Sequence, residues 1–125
     1  MILPILIIVI AFIIAEILFP IFRYLVPRFY LVVGNSMYPT LSDGDIVMGL
    51  KPRPAKRLKD GWLYGYRLPL DEKKWVIKRL KYQIGGKCFF LGDNPDHSVD
   101  SRDYGFVDRG KIMFEVHWHK DMQGG

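Results

Sequence analysis

Trp62-Leu63-Tyr64-Gly65-Tyr66-Arg67-Leu68 and Trp75-Val76-Ile77-Lys78-Arg79-Leu80-Lys81-Tyr82 are two runs rich in aromatic and branched residues, separated by the polar Pro69-Leu70-Asp71-Glu72-Lys73-Lys74. Such composition, bounded by turn residues, reads as two strands joined by a connection of ordinary hairpin length. Gly85-Gly86 marks a tighter hairpin leading into Cys88-Phe89-Phe90-Leu91. Working outward, Phe29 to Val33 is a further strand closed by Gly34-Asn35, and Asp43-Gly44-Asp45 is a turn before Ile46-Val47-Met48. Ile112 to Trp118 is the expected closing strand, after Asp108-Arg109-Gly110. No stretch beyond the amino-terminal segment sustains a helical period, so the soluble part is expected to be all-β.

The amino-terminal segment differs in kind. Met1 to Phe22 carries one charged side chain, Glu16. A bilayer core needs ~20 mostly apolar residues in helical form, and Ile2 to Leu25 supplies them, with Pro4 and Pro20 near the ends. A cleavable signal peptide has a positive start, a shorter apolar core and small residues before a cut site, none of which is present. The anchor is therefore expected to stay attached. The remainder of a 125-residue chain is too small to enclose so apolar a helix, and has room for one compact domain. The expected organisation is an anchor over residues 1–27 and one mainly β domain over 28–125. Glu16 within the span reads either as a contact with a partner helix or as a snorkelling or protonated carboxyl.

The formal net charge is +5, with a pI near 9.4. No nucleic-acid-binding motif accompanies it, and beside a membrane span anionic headgroups are the expected counterpart. Lys51 to Gly61 holds two prolines, five basic residues and no periodicity, an exposed loop that is either a solvated connector or a headgroup contact. Cys88 is the single cysteine; no internal disulfide can form, and a small apolar packing role is expected.

In Gly34-Asn35-Ser36-Met37-Tyr38-Pro39-Thr40-Leu41 a serine follows a flexible Gly-Asn pair and precedes a proline that fixes backbone direction. Serine is a weak nucleophile until a neighbouring base takes its proton. His97 lies in a polar loop, while His117 and His119 are near the carboxyl end, and no convincing Ser-His-Asp arrangement is visible. His117 and His119 share a strand face, yet spacing suggests no third metal ligand, and no metal or other cofactor is expected. Lysine serves as a base if burial or a nearby cation disfavours its ammonium form. In an extended strand the same-face neighbours of Lys78 are Val76 and Leu80, an apolar flank, whereas Arg79 points the other way with Ile77 and Lys81. An ordinary lysine on an edge strand reads equally well from this stretch alone.

A third constellation decides between them. Gly92-Asp93-Asn94-Pro95-Asp96-His97-Ser98-Val99-Asp100-Ser101-Arg102-Asp103-Tyr104-Gly105 is too polar for a core and dense in hydrogen-bonding groups. Together with Ser36 to Leu41, Asp43 to Val47 and Ile77 to Leu80, it resembles, in order, the characteristic blocks of type I signal peptidases. The resemblance spans most of Val33 to Gly105. It implies a signal-peptidase-like β domain and a Ser-Lys dyad: Ser36 attacks the scissile carbonyl, and Lys78 accepts its proton and returns it to the departing amine. Ser98 takes the place of the lysine-orienting serine, and Asp100 and Arg102 that of a structural ion pair; a simple surface pair is the other reading of those two. Gly34, Asn35, Met37 and Pro39 fall in the substrate and oxyanion region, with the Ser36 N–H as oxyanion donor. Many family members have serine where this chain has Gly34, and asparagine is frequent where it has His97.

The resemblance implies a membrane-bound serine endopeptidase that removes amino-terminal signal or targeting peptides from exported preproteins, after small residues at the first and third positions before the cut. Its expected partners are preprotein signal peptides, the lipid bilayer and a membrane partner subunit, without nucleic acid. A dedicated maturation protease for one precursor stays open. A self-cleaving regulator is another alternative, since SOS-type repressors also use a Ser-Lys dyad on a β fold, but they carry a DNA-binding segment where this chain has an apolar helix; a non-catalytic membrane scaffold is a third. Arg23 and Arg28 follow the span, which by the positive-inside tendency puts the domain in the cytoplasm. The resemblance implies the opposite: a single-pass protein of a cell or organelle inner membrane, its catalytic domain on the non-cytoplasmic side.

Overall fold

The computed structural model describes residues 1–54 and 56–120; residues 121–125 of the expected domain and Ala55 of the expected loop lie outside them. Helix α1 (Ile2–Phe22) contains no buried residue. At 1.5 Å per residue its 21 residues extend about 32 Å, enough to cross a hydrocarbon core. It stops short of Leu25, because Tyr24 and Leu25 tighten into bonds to the carbonyls of Ile21 (3.1 Å) and Phe22 (2.9 Å), and Pro27 then precludes continuation.

The remainder is one seven-stranded antiparallel sheet. Its strands are β1 (Arg28–Leu31), β2 (Ile46–Leu50), β3 (Leu63–Arg67), β4 (Trp75–Ile84), β5 (Lys87–Leu91), β6 (Val107–Asp108) and β7 (Ile112–Trp118), with a single turn of helix, α2 (Ser101–Tyr104), between β5 and β6. The spatial order is β1-β2-β7-β3-β4-β5-β6. This order corrects one sequence expectation and removes the edge-strand alternative for Lys78. The carboxyl-terminal strand does not close the sheet but lies inside it, between β2 and β3, where it joins the two halves. Strand β4 is likewise interior, so Lys78 does not sit on an edge.

Side chains alternate between two apolar clusters, one on each face of the sheet. One gathers Val32, Met37, Val47, Leu63, Ile77, Phe114 and Val116. The other gathers Leu58, Tyr64, Tyr66, Leu80, Phe90 and Val107. Phe114 fixes the first. Its ring stacks on Tyr30 at 3.7 Å and lies over the neighbouring strands at the two places where they carry glycine. A Cβ at Gly65 would come within 2.2 Å of the ring, and one at Gly49 within 2.5 Å.

The Lys51 to Gly61 connection is a loop, as expected, but it is not simply exposed. Leu58 is buried, its carbonyl accepts a bond from Gln83 Nε2 (2.7 Å), and the Lys59 N–H donates to Tyr64 Oη (2.9 Å). Lys56 reaches both oxygens of the buried Glu115 at 3.2 Å. A polar composition hid these anchors.

Gly65→Ala should destabilise the domain by about 1–3 kcal/mol, because overpacking at the sheet centre forces Phe114 from its rotamer. Chemical denaturation in neutral detergent micelles should show this loss, and Phe114→Leu in the same chain should recover part of it.

Candidate active site

Three segments converge around Gly92. The first is the turn that carries Ser36. It leaves β1 through Gly34, whose φ of +88° suits glycine and whose N–H donates to Asp43 Oδ1 at 2.7 Å. Met37 is driven into the core, which leaves Ser36 half-buried at the surface of the turn. The Tyr38–Pro39 peptide that follows is cis. The segment after β5 clamps this turn by its backbone: the Asn94 N–H donates to the Ser36 carbonyl (2.9 Å) and the Asn94 side-chain amide to the Asn35 carbonyl (3.0 Å). The Asp93 N–H points at Met37 Sδ (3.4 Å).

The second segment is the centre of β4. Lys78 stands opposite Tyr64 in the β3–β4 register, flanked on its own face by Val76 and Leu80, and is 2 % exposed. Burial pushes its amine down from the ordinary 10.5 to about 8; the Asp100 carboxylate opposes that shift, and the Arg102 guanidinium assists it. Lys78 is thus within the electrostatic reach of the third segment.

That segment runs from Ser98 into α2. Asp100 is fully buried and collects hydrogen bonds from every side: from the Gly92 N–H (2.9 Å), Ser98 Oγ (2.8 Å), Arg102 Nε (2.9 Å), an Arg102 terminal nitrogen (3.0 Å) and the Arg102 N–H (3.1 Å). Burial alone would raise the pKa of this carboxyl, but the bonds from Arg102, Gly92 and Ser98 outweigh it and hold the group well below the usual carboxylate range. Asp100 and Asp103 also form a capping box at the start of α2. Glycine at 92 is a packing necessity, since a Cβ there would lie 2.1 Å from Ser98 Oγ and 2.7 Å from the Ser36 carbonyl oxygen.

Ser36, Ser98 and Asp100 therefore meet at one glycine, with Arg102 bound to Asp100 and Lys78 within electrostatic reach of both. Gly34, Asn35, Met37 and Pro39 form the turn itself. Beside Ser36 opens a cavity of about 370 Å³ with an apolar lining that includes Leu31, Val33, Trp75 and Ile77. His97 is exposed on the outer side of the polar segment, and His117 lies 3.7 Å from Glu115, outside this cavity. Among the described residues, no group of three or more His, Cys, Asp or Glu side chains is placed to hold a metal ion.

Sequence reasoning missed the strap behind the turn. Arg79, on the opposite face of β4 from Lys78, forms a two-pronged bond to Asp93 at 2.8 and 2.6 Å and also donates to the Gly61 carbonyl at 2.7 Å. Thr40 donates its hydroxyl to the same carboxylate, and the bonds from Arg79 and Thr40 outweigh burial to keep Asp93 ionised. The Ser36 turn, β4 and the polar segment are thereby tied into one unit. An arginine beside a candidate base, on a face with no acid of its own, was the available signal; its partner lies on another element and no local pattern names it.

No family model matches the chain. It is 34% identical to mitochondrial inner membrane protease subunit 1 of Schizosaccharomyces pombe, and the match covers 66% of this chain and 66% of that protein. The chain thus spans about two thirds of the length of this relative. With that likeness added to a mainly β fold and an apolar amino-terminal helix, the chain belongs to the type I signal peptidase family.

Proposed function

We propose that the protein is a membrane-bound serine endopeptidase that removes amino-terminal signal or targeting peptides by a Ser36–Lys78 dyad, with residues 1–27 as anchor and 28–125 as catalytic domain. The observation that carries this reading is the state of Lys78. It is a lysine 2 % exposed, with its amine pushed down to about 8, within electrostatic reach of Asp100, whose partner Ser98 packs with the Ser36 turn against Gly92. A structural lysine has no use for such a site, because burial of an ammonium opposes folding. A general base requires it.

The mechanism follows from the chemistry of these groups. The Ser36 hydroxyl adds to the scissile carbonyl carbon as its proton passes to the neutral Lys78 amine. The Ser36 N–H donates to the oxyanion, in keeping with the glycine at position 34, which offers no hydroxyl for that task. Collapse breaks the C–N bond, and the departing amine takes the proton back from Lys78. Water then adds to the acyl ester on Ser36, again with Lys78 as base, and releases the free carboxylate and the serine. Ser98 and Asp100 orient the amine, and Arg102 keeps Asp100 charged. The apolar cavity beside Ser36 receives the side chains that precede the cut. Helix α1 holds the domain beside substrates that are themselves in the membrane, on its non-cytoplasmic side. The yeast relative is a subunit of a mitochondrial inner membrane protease, which favours an inner-membrane site and a partner subunit for this chain too.

Cleavage of a preprotein in lipid by the wild type, Ser36→Ala and Lys78→Ala tests the reading. With folding verified by circular dichroism, both variants should lose at least ~10³-fold in kcat/KM; undiminished cleavage by folded variants overturns the dyad. The pH profile should rise tenfold per unit up to about 8 and then level, as Lys78 loses its proton. Stability moves in a related way. The lysine binds its proton less tightly folded than unfolded, so its burial costs most below about pH 8, and the cost disappears as pH passes 10.5. Lys78→Met should therefore unfold later than wild type at pH 7, by about 1–3 kcal/mol, and the gain should vanish above pH 10.5.

A further inference from the structure

The end of α1 and the near ends of β1 and β2 enclose a second cavity, of about 220 Å³, on a different part of the domain from Ser36. Three cations line it: Arg23, Arg28 and Lys51. No carboxylate lines it, and none of the three is paired with an acid among the described residues. The side chains are instead held by geometry. Arg23 is the C-cap of α1. Tyr24 lies between two of the charges, its ring centre 5.6 Å from the Arg23 guanidinium carbon and 5.7 Å from Lys51 Nζ. Arg28 stands opposite Gly49 in the β1–β2 register, and both residues line the cavity.

Like charges brought together without a counter-ion repel one another, so the arrangement is completed by an anion. Its depth identifies the source. The apolar span ends at Phe22 after about 32 Å of helix, which sets Arg23 and the cavity at the level of the headgroups. A zwitterionic headgroup brings its own cation and neutralises little; a headgroup with net negative charge matches three unpaired cations. The cavity, of about 220 Å³, is several times the roughly 30 Å³ that one water occupies, so a phosphate group has room in it.

We propose that Arg23, Arg28 and Lys51 form a binding site for the phosphate of an anionic phospholipid, which pins the β domain to the bilayer at the end of its anchor. The site rests on α1 spanning the membrane and is independent of the peptidase chemistry. One bound lipid bridges the helix end and the sheet edge, limiting the tilt of the domain relative to the membrane.

The test uses the full chain in phosphatidylcholine nanodiscs with increasing phosphatidylglycerol, followed by mild detergent extraction and native mass spectrometry. One phosphatidylglycerol should remain bound to the wild type. Replacing Arg23, Arg28 and Lys51 together by Gln should weaken its retention on the order of 100-fold. Lys81, Lys87 and Lys111 replaced together by Gln, an equal loss of charge elsewhere, should leave it intact. All three cavity cations are exposed, so the first variant should fold, and circular dichroism with the single replacements verifies it. Equal retention by both triple variants, or retention of phosphatidylcholine as strong as that of phosphatidylglycerol, overturns the site. Binding of inorganic phosphate without retention of phosphatidylglycerol overturns the lipid as its source. Failure of the chain to float with vesicles of either lipid overturns the anchoring, and the site with it.

Discussion

Burying an amine in a β-sheet is the constraint around which the rest of this structure is arranged. An isolated ammonium in an apolar interior is costly enough that the group gives up its proton instead. Lys78 meets that condition between Val76 and Leu80, on a strand covered on both sides by neighbours. Asp100 limits the loss: its negative charge keeps the amine from drifting further down, while Arg102 satisfies the carboxylate and takes away part of its pull. A fully buried aspartate with five donors in turn dictates what surrounds it, a glycine at 92, a serine at 98 and a capped turn of helix at 101.

The scaffold makes that cluster rigid by two different means. On the face with Met37, the Phe114 ring spans three strands because its neighbours carry glycine, where β7 joins the two halves of the sheet. Behind the Ser36 turn, the Arg79–Asp93–Thr40 strap replaces packing with charge-assisted hydrogen bonds. Adjacent residues of β4 thus serve opposite ends: Lys78 is desolvated on one face, and Arg79 is fully paired on the other.

What could be read from the sequence was local. The β3–β4–β5 meander follows from alternation and hairpin residues, and the apolar helix from its composition alone. The position of β7 inside the sheet could not be read, since strand order is set by long-range pairing that leaves no mark in a single strand. The buried Glu115 of that strand is paired with Lys56, in a loop whose polarity suggested solvent. Asp100 and Asp103 do carry the spacing of a helix start, but the density of polar groups around them drew attention to chemistry instead. The serine, the lysine and the acidic segment stood out because each violates the pattern of its surroundings, and such violations tend to mark functional sites.

The central claim concerns one proton, and the direct measurement is the titration of Lys78 itself by carbon-13 NMR of ε-labelled lysines in the full chain in micelles, with Lys78→Met to assign the signal. The account predicts that the Lys78 signal titrates near 8. A Lys78 signal that titrates near its ordinary 10.5 would contradict it.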